Sequence, residues 1–391
     1  MLDWLLIGGG VHGTHLSLAL TTRLGWPRDR VRVLDPHPEP LALWSHQTAN
    51  TGMTYMRSSL VHHLGLDPYG LRRFARSPEA AGVARFAPPF RRPAYGLFQT
   101  YAAHVVAEHD LAALRMQGRA VGLRRVARGW RVETEQGALD AQRVVLAFGN
   151  TERPCWPGWA HALREAGGRV NHLFDATFDR SAVPEGERVT VVGGGISAVQ
   201  VATALARRGP TILLSRHPVR VHTFDADPGW LGPKYMSAFR QEVCPVARRQ
   251  AIHRARHRGS VPPDALRRLR WAARRDGLVR ATADVTTASV GPLGTVRLAL
   301  RRRDGSASEI LTQRVVLATG FEAARPGGSW LDDATEAEGL PVAPCGFPRL
   351  GASLEWATRL YATGPLAELS LGPTARNIAG ARAAADYLPA A

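Results

Sequence analysis

The order of apolar and polar residues predicts a βαβ unit at the start of the chain. Residues 2–7 form an apolar run that ends at three glycines, as a short buried strand does. Apolar residues then recur at helical spacing from Leu16 to Leu24, and a second apolar run, residues 31–34, ends at Asp35. Strand, glycine turn, helix and strand in this order are typical of doubly wound α/β proteins.

The same order occurs a second time in the middle of the chain. Residues 189–214 predict a strand, a glycine turn, a helix and another strand. Each unit is followed by short alternating strands and then by a similar strand end. That end reads Val-Val-Leu-Ala-Phe-Gly at 144–149 and Val-Val-Leu-Ala-Thr-Gly at 315–320. The repeat predicts two related α/β domains, and an arginine-rich, mostly helical segment at 220–280 interrupts the second.

The first glycine turn has the pattern G-x-G-x-x-G. Gly8 permits the tight turn, Gly10 lets the backbone approach a pyrophosphate, and Gly13 lets the helix pack closely on the strand. The unpaired N–H groups and the positive dipole end at the helix N-terminus favour the phosphates. Asp35 follows Gly13 by 22 residues, where a carboxylate accepts ribose hydroxyls. This context predicts a dinucleotide site, and the alternative is a glycine-rich turn without a ligand.

The second turn, residues 193–198, reads Gly-Gly-Gly-Ile-Ser-Ala, the permitted G-x-G-x-x-A variant. Gly193, Gly195 and Ser197 are its candidate binding residues. Arg216 stands at the end of the following strand, where an acid would repel a 2′-phosphate and an arginine binds one as a planar fork. The turn therefore predicts NADPH over NADH. The alternative for Arg216 is an exposed, solubilising side chain.

Composition excludes several classes of protein. A chain of 391 residues is long enough for two or three domains, and no apolar run approaches the ~20 residues of a membrane span. The N-terminus lacks the pattern of a secretory signal, so we expect a cytoplasmic protein. Three distant cysteines without a Cys-x-x-Cys pair argue against a disulfide framework, a zinc site and a dithiol centre. We expect no metal and no membrane partner.

The net charge of +17 raises the question of a nucleic-acid partner. The positive charge is almost all arginine, with Lys234 the only lysine, and the arginines are scattered along the chain. A GC-rich coding sequence produces such a composition without any nucleic-acid function. We therefore do not expect nucleic acid as the main partner, although a basic flavoprotein that acts on or with RNA stays an alternative.

Two glycine turns about 180 residues apart, each closed by a similar strand end, resemble the two-dinucleotide-binding flavoproteins. The resemblance implies two Rossmann-like, three-layer ββα domains in an α/β fold, with the NADPH domain inserted into the FAD domain. The segments 361–364 and 371–380 resemble the part of such proteins whose helix N-terminus faces the flavin. The implied bounds are 1–160 for the first part of the FAD domain, 161–186 for a linker, 187–320 for the NADPH domain with its insert at 220–280, and 321–391 for the C-terminal part of the FAD domain.

Within this superfamily the chain is most similar to flavin-dependent monooxygenases of the lysine/ornithine N-hydroxylase type. Trp44 and the segment ending in Met56 resemble the residues that line the flavin in those enzymes, and the segment 172–178 resembles their histidine-containing linker. The chain departs from them at Arg57, where they have a glutamine, and at 58–63, where they have a lysine for the amino-acid carboxylate. These departures leave the substrate open.

The resemblance implies a monooxygenase that consumes NADPH and O₂, uses FAD, and hydroxylates a small amine-like nucleophile. A flavin reductase that transfers electrons without inserting oxygen is the alternative enzyme. No catalytic triad is present or needed, and the candidate catalytic residues are Arg57, His63 and Asp227. The candidate FAD-binding residues are Gly8, Gly10, Gly13, Asp35, Trp44, Met56, Gly149, Gly364 and Gly372.

Overall fold

The computed structural model describes residues 1–150 and 153–391. Its strands are β1 (Leu2–Ile7), β2 (Val31–Asp35), β3 (Phe86–Ala87), β4 (Arg92–Pro93), β5 (Arg115–Gln117), β6 (Ala120–Val126), β7 (Gly129–Thr134), β8 (Gly137–Leu146), β9 (Val170–His172), β10 (Val189–Val192), β11 (Thr211–Ser215), β12 (Arg220–Val221), β13 (Ser260–Val261), β14 (Val279–Thr282), β15 (Asp284–Val290), β16 (Val296–Arg301), β17 (Ala307–Thr312), β18 (Arg314–Leu317), β19 (Glu355–Ala357) and β20 (Leu360–Ala362).

The helices are α1 (Val11–Leu18), α2 (Ala42–Thr51), α3 (Gly70–Phe74), α4 (Tyr95–Glu108), α5 (Gly158–Glu165), α6 (Ile196–Leu205), α7 (Pro233–Gln241), α8 (Pro245–Ala255), α9 (Pro263–Arg275), α10 (Gly328–Ala337), α11 (Glu368–Leu371) and α12 (Ile378–Ala385). A π-helical turn, Ala19–Arg23, extends α1. No helix within residues 1–150 and 153–391 is long and apolar enough to cross a membrane.

The first sheet combines a parallel core with an antiparallel meander. Its order is β19-β20-β8-β1-β2-β5, and β7 joins β8 to β6. Ile7 pairs in parallel with Leu34 on one side and with Leu146 on the other. The carboxyl ends of β1, β2 and β8 therefore lie side by side, where ligands bind in open α/β sheets.

Buried apolar side chains cover both faces of this sheet. On one face Trp4, Leu6 and Val33 pack into a core with residues of α1, α4 and α12. On the other face Leu5 and Leu146 pack with residues of the meander and of α10. Helices, parallel sheet and meander form the three layers that the sequence predicts. The near-continuous apolar strands reflect burial on both faces.

The second sheet is wholly parallel, in the order β14-β11-β10-β18-β9. Val192 pairs with Leu214 on one side and Leu317 on the other, so the second glycine turn also begins at the carboxyl edge of a parallel sheet. Strands β15, β16 and β17 form a separate antiparallel sheet. Strands β1 and β20 of the first sheet lie before and after the second sheet in sequence, which confirms the predicted insertion of one domain into the other.

Several elements differ from the sequence expectation. The segment 161–186, expected as a linker, contains β9, and β9 is an edge strand of the second sheet. Ala160 and Leu163 of α5 pack into a core shared with Val315 and Leu317. A three-residue strand and an eight-residue helix are too short to give a clear apolar period. The exact domain bounds remain a prediction.

Candidate functional site

A large cavity opens at the carboxyl edge of the first sheet. Its volume is about 920 Å³, which is large enough for an extended cofactor. Its walls are the first glycine turn, the end of β2 and the residues after it, the segments 41–58, 118–121 and 147–150, residues 326–330, Arg153, Asp225 and residues 376–378. The cavity therefore collects segments from almost the whole length of the chain.

The first glycine turn lies in the cavity wall, and the space in front of Gly10 is open. A Cβ atom placed on Gly10 would meet no atom within 4 Å, whereas one on Gly13 would collide with the carbonyl oxygen of Gly8. Gly8 itself has a φ of +108° and packs on the backbone of Ala147 and Phe148. No side chain caps the N-terminus of α1. Its N–H groups and its dipole are thus available to an anion at Gly10.

Asp35 lies at the cavity wall and is oriented by the backbone. Its carboxylate accepts hydrogen bonds from the N–H groups of Gly9, at 2.6 Å, and His37, at 2.9 Å. The guanidinium of Arg115, almost fully buried, lies 3.3 Å from the same carboxylate. Oδ2 accepts a hydrogen bond from Gly9 alone and so keeps a lone pair for a ribose hydroxyl. Sequence reasoning missed Arg115 because nothing in its local pattern distinguishes it from the other arginines.

The wall next to the glycine turn is apolar. Trp44, Met56 and Gly149 all line it. The indole of Trp44 packs on the rings of Tyr95 and Phe98, with centroids 6.2 and 5.2 Å away. These contacts fix the wall at a place where a planar aromatic ligand would exclude water.

One end of the cavity carries charged and amide groups. Asp225 reaches it, and its Oδ1 accepts a hydrogen bond from Asn377 Nδ2 at 3.1 Å. Asn377 is the N-cap of α12, so the helix whose N-terminus faces the cavity begins here. Arg376, the residue before it, also lines the cavity.

Arg376 is held in place by a buried ion-pair cluster. Its Nε lies 2.5 Å from Glu368, a fully buried carboxylate that also binds Arg249 and Arg256 at 2.8 and 2.6 Å. Burial opposes the ionisation of Glu368, but the guanidiniums of Arg256, Arg376 and Arg249 outweigh it and hold the pKa of Glu368 below its ordinary value. The cluster therefore places excess positive charge beside the cavity.

His12 is a neutral group in the wall. Burial lowers the pKa of His12 to about 4, so its imidazole is uncharged at neutral pH. Its Nδ1 lies 2.9 Å from Thr363 Oγ1.

Several predicted residues lie outside the cavity. His63 is buried against Tyr101, its Nε2 lies 3.1 Å from the carbonyl of Pro68, and burial lowers the pKa of His63 to about 4. Asp227 is exposed and accepts a hydrogen bond from the N–H of Gly229 in the 3₁₀ turn that follows. Neither side chain is placed to contact a molecule in the cavity. Asp225, two residues earlier, is the carboxylate that does line it.

Two predicted glycines have structural contacts instead of cavity contacts. A Cβ on Gly364 would lie 3.7 Å from the His12 ring, and one on Gly372 would lie 2.9 Å from the Met236 sulfur. Both have positive φ, at +63° and +74°. Gly364 thus packs against a wall residue, His12, whereas Gly372 packs against Met236, which does not line the cavity.

Arg57, the third catalytic candidate, lines the cavity but is occupied. Its guanidinium donates to the carbonyls of residues 222, 223, 224 and 260 and to the hydroxyl of Ser260, at 2.7–3.2 Å. Burial lowers the pKa of Arg57, and the nearby Asp225 acts in the opposite direction. Since its donors are used, Arg57 is placed to position backbone and not to transfer protons.

The second glycine turn has the same backbone form but different surroundings. Gly193 has a φ of +156°, and Gly195 is the N-cap of α6, which no side chain caps. Ser197 lies half-buried in the first turn of α6, and Arg216 is exposed just after β11. The backbone of Gly259 lies directly opposite Gly195. No group of His, Cys, Asp and Glu in residues 1–150 and 153–391 is arranged to hold a metal ion.

Comparisons with known sequences agree with this picture. Residues 5–151 match the sequence model of an FAD-NAD(P)-binding family, and residues 91–244 match that of the pyridine nucleotide-disulphide oxidoreductases. No curated protein matches the chain in sequence. The two family matches confirm the predicted FAD/NAD(P)-dependent oxidoreductase.

Solved structures show the same architecture over nearly the full length. The chain is similar to an ornithine hydroxylase from Pseudomonas aeruginosa, with a TM-score of 0.76, 18% identity and coverage of 99% and 97% of the two chains. It is also similar to a cadaverine monooxygenase from Erwinia amylovora, bound to FAD, with a TM-score of 0.75, 14% identity and coverage of 99% of this chain and 93% of that chain. An ornithine N-hydroxylase from Kutzneria sp. 744 is similar with a TM-score of 0.75, 15% identity and coverage of 99% of this chain and 97% of that chain. At these identities the likeness establishes the two-domain fold of flavin-dependent monooxygenases.

Proposed function

We propose that the protein is an FAD- and NADPH-dependent monooxygenase that hydroxylates a small amine. The observation that carries the proposal is the 920 Å³ cavity at the first glycine turn, which combines an open phosphate cradle at Gly10, an oriented carboxylate at Asp35 and an apolar wall. These features fit a flavin dinucleotide from end to end. When bound, FAD takes electrons from NADPH and activates O₂.

Each group of the chain has a defined part in this function. The N–H groups at the start of α1 bind the pyrophosphate, and Asp35 binds the ribose hydroxyls. Trp44 and Met56 exclude water from the reacting ring. Arg376 and the N-terminus of α12 stabilise negative charge near Asn377. Arg216 binds the 2′-phosphate of NADPH and so favours NADPH over NADH.

Asp225 is the residue we assign to the substrate amine. Among the described residues that line the cavity, Asp225 and Asp35 are the carboxylates, and Asp225 lies at the end with Arg57 and Asn377. An ammonium group pairs with this carboxylate through a charge-assisted hydrogen bond. Lys234, the only lysine in the chain, does not line the cavity. Arg153 and Arg376 also line the cavity, and a guanidinium can bind a carboxylate, so amino acids are tested together with simple amines and diamines.

The test is product analysis with purified, FAD-loaded protein. A panel of monoamines, diamines, ornithine and lysine is incubated with NADPH and O₂, and hydroxylamine products are quantified by mass spectrometry against NADPH consumed. We expect one amine class to give a product yield close to one per NADPH. NADPH consumption without hydroxylated product from any amine would contradict the proposal.

A flavin reductase is the second candidate. The match of residues 91–244 to the pyridine nucleotide-disulphide oxidoreductases favours it. Cys155, Cys244 and Cys345 are all free and form no disulfide. A reductase would therefore pass electrons to an external acceptor, and anaerobic turnover with quinone or ferric acceptors at the aerobic rate would support it.

A further inference from the structure

The two glycine turns differ in what faces their central glycine. In the dinucleotide fingerprint this glycine lacks a side chain so that the backbone can approach the pyrophosphate. The Cβ direction of Gly10 is empty to 4 Å, but a Cβ on Gly195 would lie 3.6 Å from the Cα of Gly259. The backbone of Gly259 thus lies where the pyrophosphate of a second nucleotide belongs. Residues 257–260 are called the Gly259 loop below.

The Gly259 loop also covers the rest of the second turn. His217 lies between Gly194 and Gly259, since a Cβ on either glycine would lie 3.0 or 3.2 Å from its ring. Gly259 has a φ of +66°, a conformation that L residues rarely adopt. Two backbones approach closely here because glycine stands on both sides. As it lies in this structure, the Gly259 loop narrows the space that the second turn would offer to a pyrophosphate.

Local contacts join the loop to the strand before it. β13 pairs in parallel with β12, and the N–H of His257 donates to the carbonyl of Asp225 at 2.7 Å. The rings of His222 and His257 stack with centroids 3.8 Å apart. Val261, directly after the loop, is buried in the core of the second domain. The loop is therefore held between Val261 on one side and the segment 222–225 on the other.

A single side chain of the first domain holds both sides of this arrangement. Arg57 donates to the carbonyls of residues 222, 223 and 224 on one side and to the carbonyl and hydroxyl of Ser260 on the other. Ser260 is buried, so its hydrogen bonds to Arg57 are shielded from water. Arg57 also lines the large cavity. It connects the first nucleotide site to the cover of the second.

We propose that Arg57 is a positioning residue that holds the Gly259 loop on the second glycine turn, so that NADPH enters only when the loop is released. This inference rests on the proposed assignment of NADPH to the second turn. The closed arrangement lowers the apparent NADPH affinity by the fraction of molecules that are open. Since binding linkage is reciprocal, nucleotide binding in turn weakens the contacts of Arg57 beside the flavin cavity.

The first experiment measures NADP⁺ affinity in FAD-loaded protein by isothermal titration calorimetry. Arg57→Met removes all five donors while keeping an unbranched, largely apolar stem. We expect Kd to fall about fivefold or more, since several hydrogen bonds favour the closed loop. An unchanged or higher Kd would overturn the proposal. So would the absence of NADP⁺ binding in both wild type and variant.

The matched control is Arg180→Met. Arg180 also joins the two domains through backbone carbonyls, donating to Asn50 at 3.1 Å and Ala49 at 3.4 Å. It lies near Ala204 at the far end of α6, away from the second turn. A general loosening of the domains would tighten or weaken NADP⁺ binding equally in both variants. The proposal requires a change in the Arg57 variant alone.

A second measurement covers the case in which Arg57→Met loses FAD or stability. Ser260→Ala removes one acceptor of Arg57 and leaves the cavity intact, and we expect about a twofold fall in the NADP⁺ Kd.

Limited trypsin digestion after the exposed Arg258 reports directly on the position of the Gly259 loop. Saturating NADP⁺ should accelerate this cleavage in wild type. Slower cleavage with NADP⁺ would show that the loop closes on the nucleotide and would overturn the proposal.

The outcomes separate this inference from the proposed function. If NADP⁺ affinity and cleavage respond as expected but no amine is hydroxylated, the monooxygenase assignment fails and the role of Arg57 stands. If hydroxylated product forms but Arg57→Met and Ser260→Ala leave NADP⁺ affinity unchanged, the function stands and the inference fails.

Discussion

The two glycine turns have nearly the same sequence and the same place at the edge of a parallel sheet, yet they differ in their surroundings. At the first, the space beyond Gly10 is part of a large cavity. At the second, Gly259 lies opposite Gly195, and Arg57 of the other domain holds Gly259 there through Ser260. A fingerprint therefore specifies the local shape of a phosphate cradle. Distant segments decide whether the cradle is open.

The sharpest test of this contrast is Gly10→Val. The backbone angles of Gly10, φ −72° and ψ −164°, suit any residue, and no atom lies where the side chain would go. The protein should fold normally but lose FAD affinity by about 100-fold or more, because the side chain fills the pyrophosphate position. The ratio of flavin to protein absorbance and the circular dichroism spectrum measure the two effects.

Gly158→Val is the control for that substitution. Gly158 also has open space around it, but it starts α5, outside the cavity. The Gly158→Val protein should keep its full flavin content. A yellow Gly10→Val protein would show that the cavity does not hold FAD in the expected way.

The second turn is tested by Arg216→Ala. Arg216 is exposed beside that turn, and we expect the KM for NADPH to rise about 30-fold while the KM for NADH changes little. Arg207→Ala removes another exposed arginine on the same domain as a control. Steady-state kinetics with both nucleotides measures the split, and equal effects on the two would remove Arg216 from the 2′-phosphate site.

The assignment of the substrate to the open cavity is tested by Asp225→Asn. Loss of the carboxylate should raise the amine KM about tenfold and leave flavin reduction by NADPH unchanged. Asp227→Asn is the matched control, since Asp227 is exposed and lies outside the cavity. If the two variants had comparable KM values for the amine, Asp225 would not be the residue that binds the substrate.

Helices α1 and α6, which follow the two glycine turns, should also differ in their stability at low pH. Burial lowers the pKa of His12 to about 4 and that of His15 to about 3, whereas α6 contains no titratable residue. Their folded pKa values lie below the ordinary 6.5, so their contribution to stability is complete above pH 6.5. It is lost as the pH falls toward 4, by about 1.4 kcal/mol per pH unit for each histidine.

Hydrogen exchange measures this last difference. Protection factors of α1 should fall between pH 6.5 and 4.5 faster than those of α6, and His15→Gln should reduce the pH dependence. Parallel loss of protection in both helices would indicate that acid acts on the whole molecule through other groups.

The parts of the fold that short-range rules govern could be predicted from sequence. Strand β1 ends at Ile7 and strand β10 at Val192, both as predicted, because a buried apolar run followed by glycine marks the end of a strand. The apolar spacing of residues 101–114 predicts a helix there, but α4 begins six residues earlier, at Tyr95, and ends at Glu108. Gly96 near its start hides the helical period there.

Much of the candidate site could not be predicted in this way. Asp35 was predicted from its spacing, but its partner Arg115 comes from another strand. Asp227 was chosen where Asp225 lines the cavity, because the sequence does not show which way a loop turns. Glu368 and the arginines around it come from three segments that no spacing rule connects.

The sequence by itself determined two βαβ units, their glycine turns, and the carboxylate and the arginine that follow them. Each of these depends on hydrogen bonding and steric limits within a few tens of residues. Only the tertiary structure decided that Gly10 faces a cavity and Gly195 faces Gly259. That outcome depends on Arg57, whose partners lie 165 to 203 residues away, and no local pattern encodes a contact across such a distance.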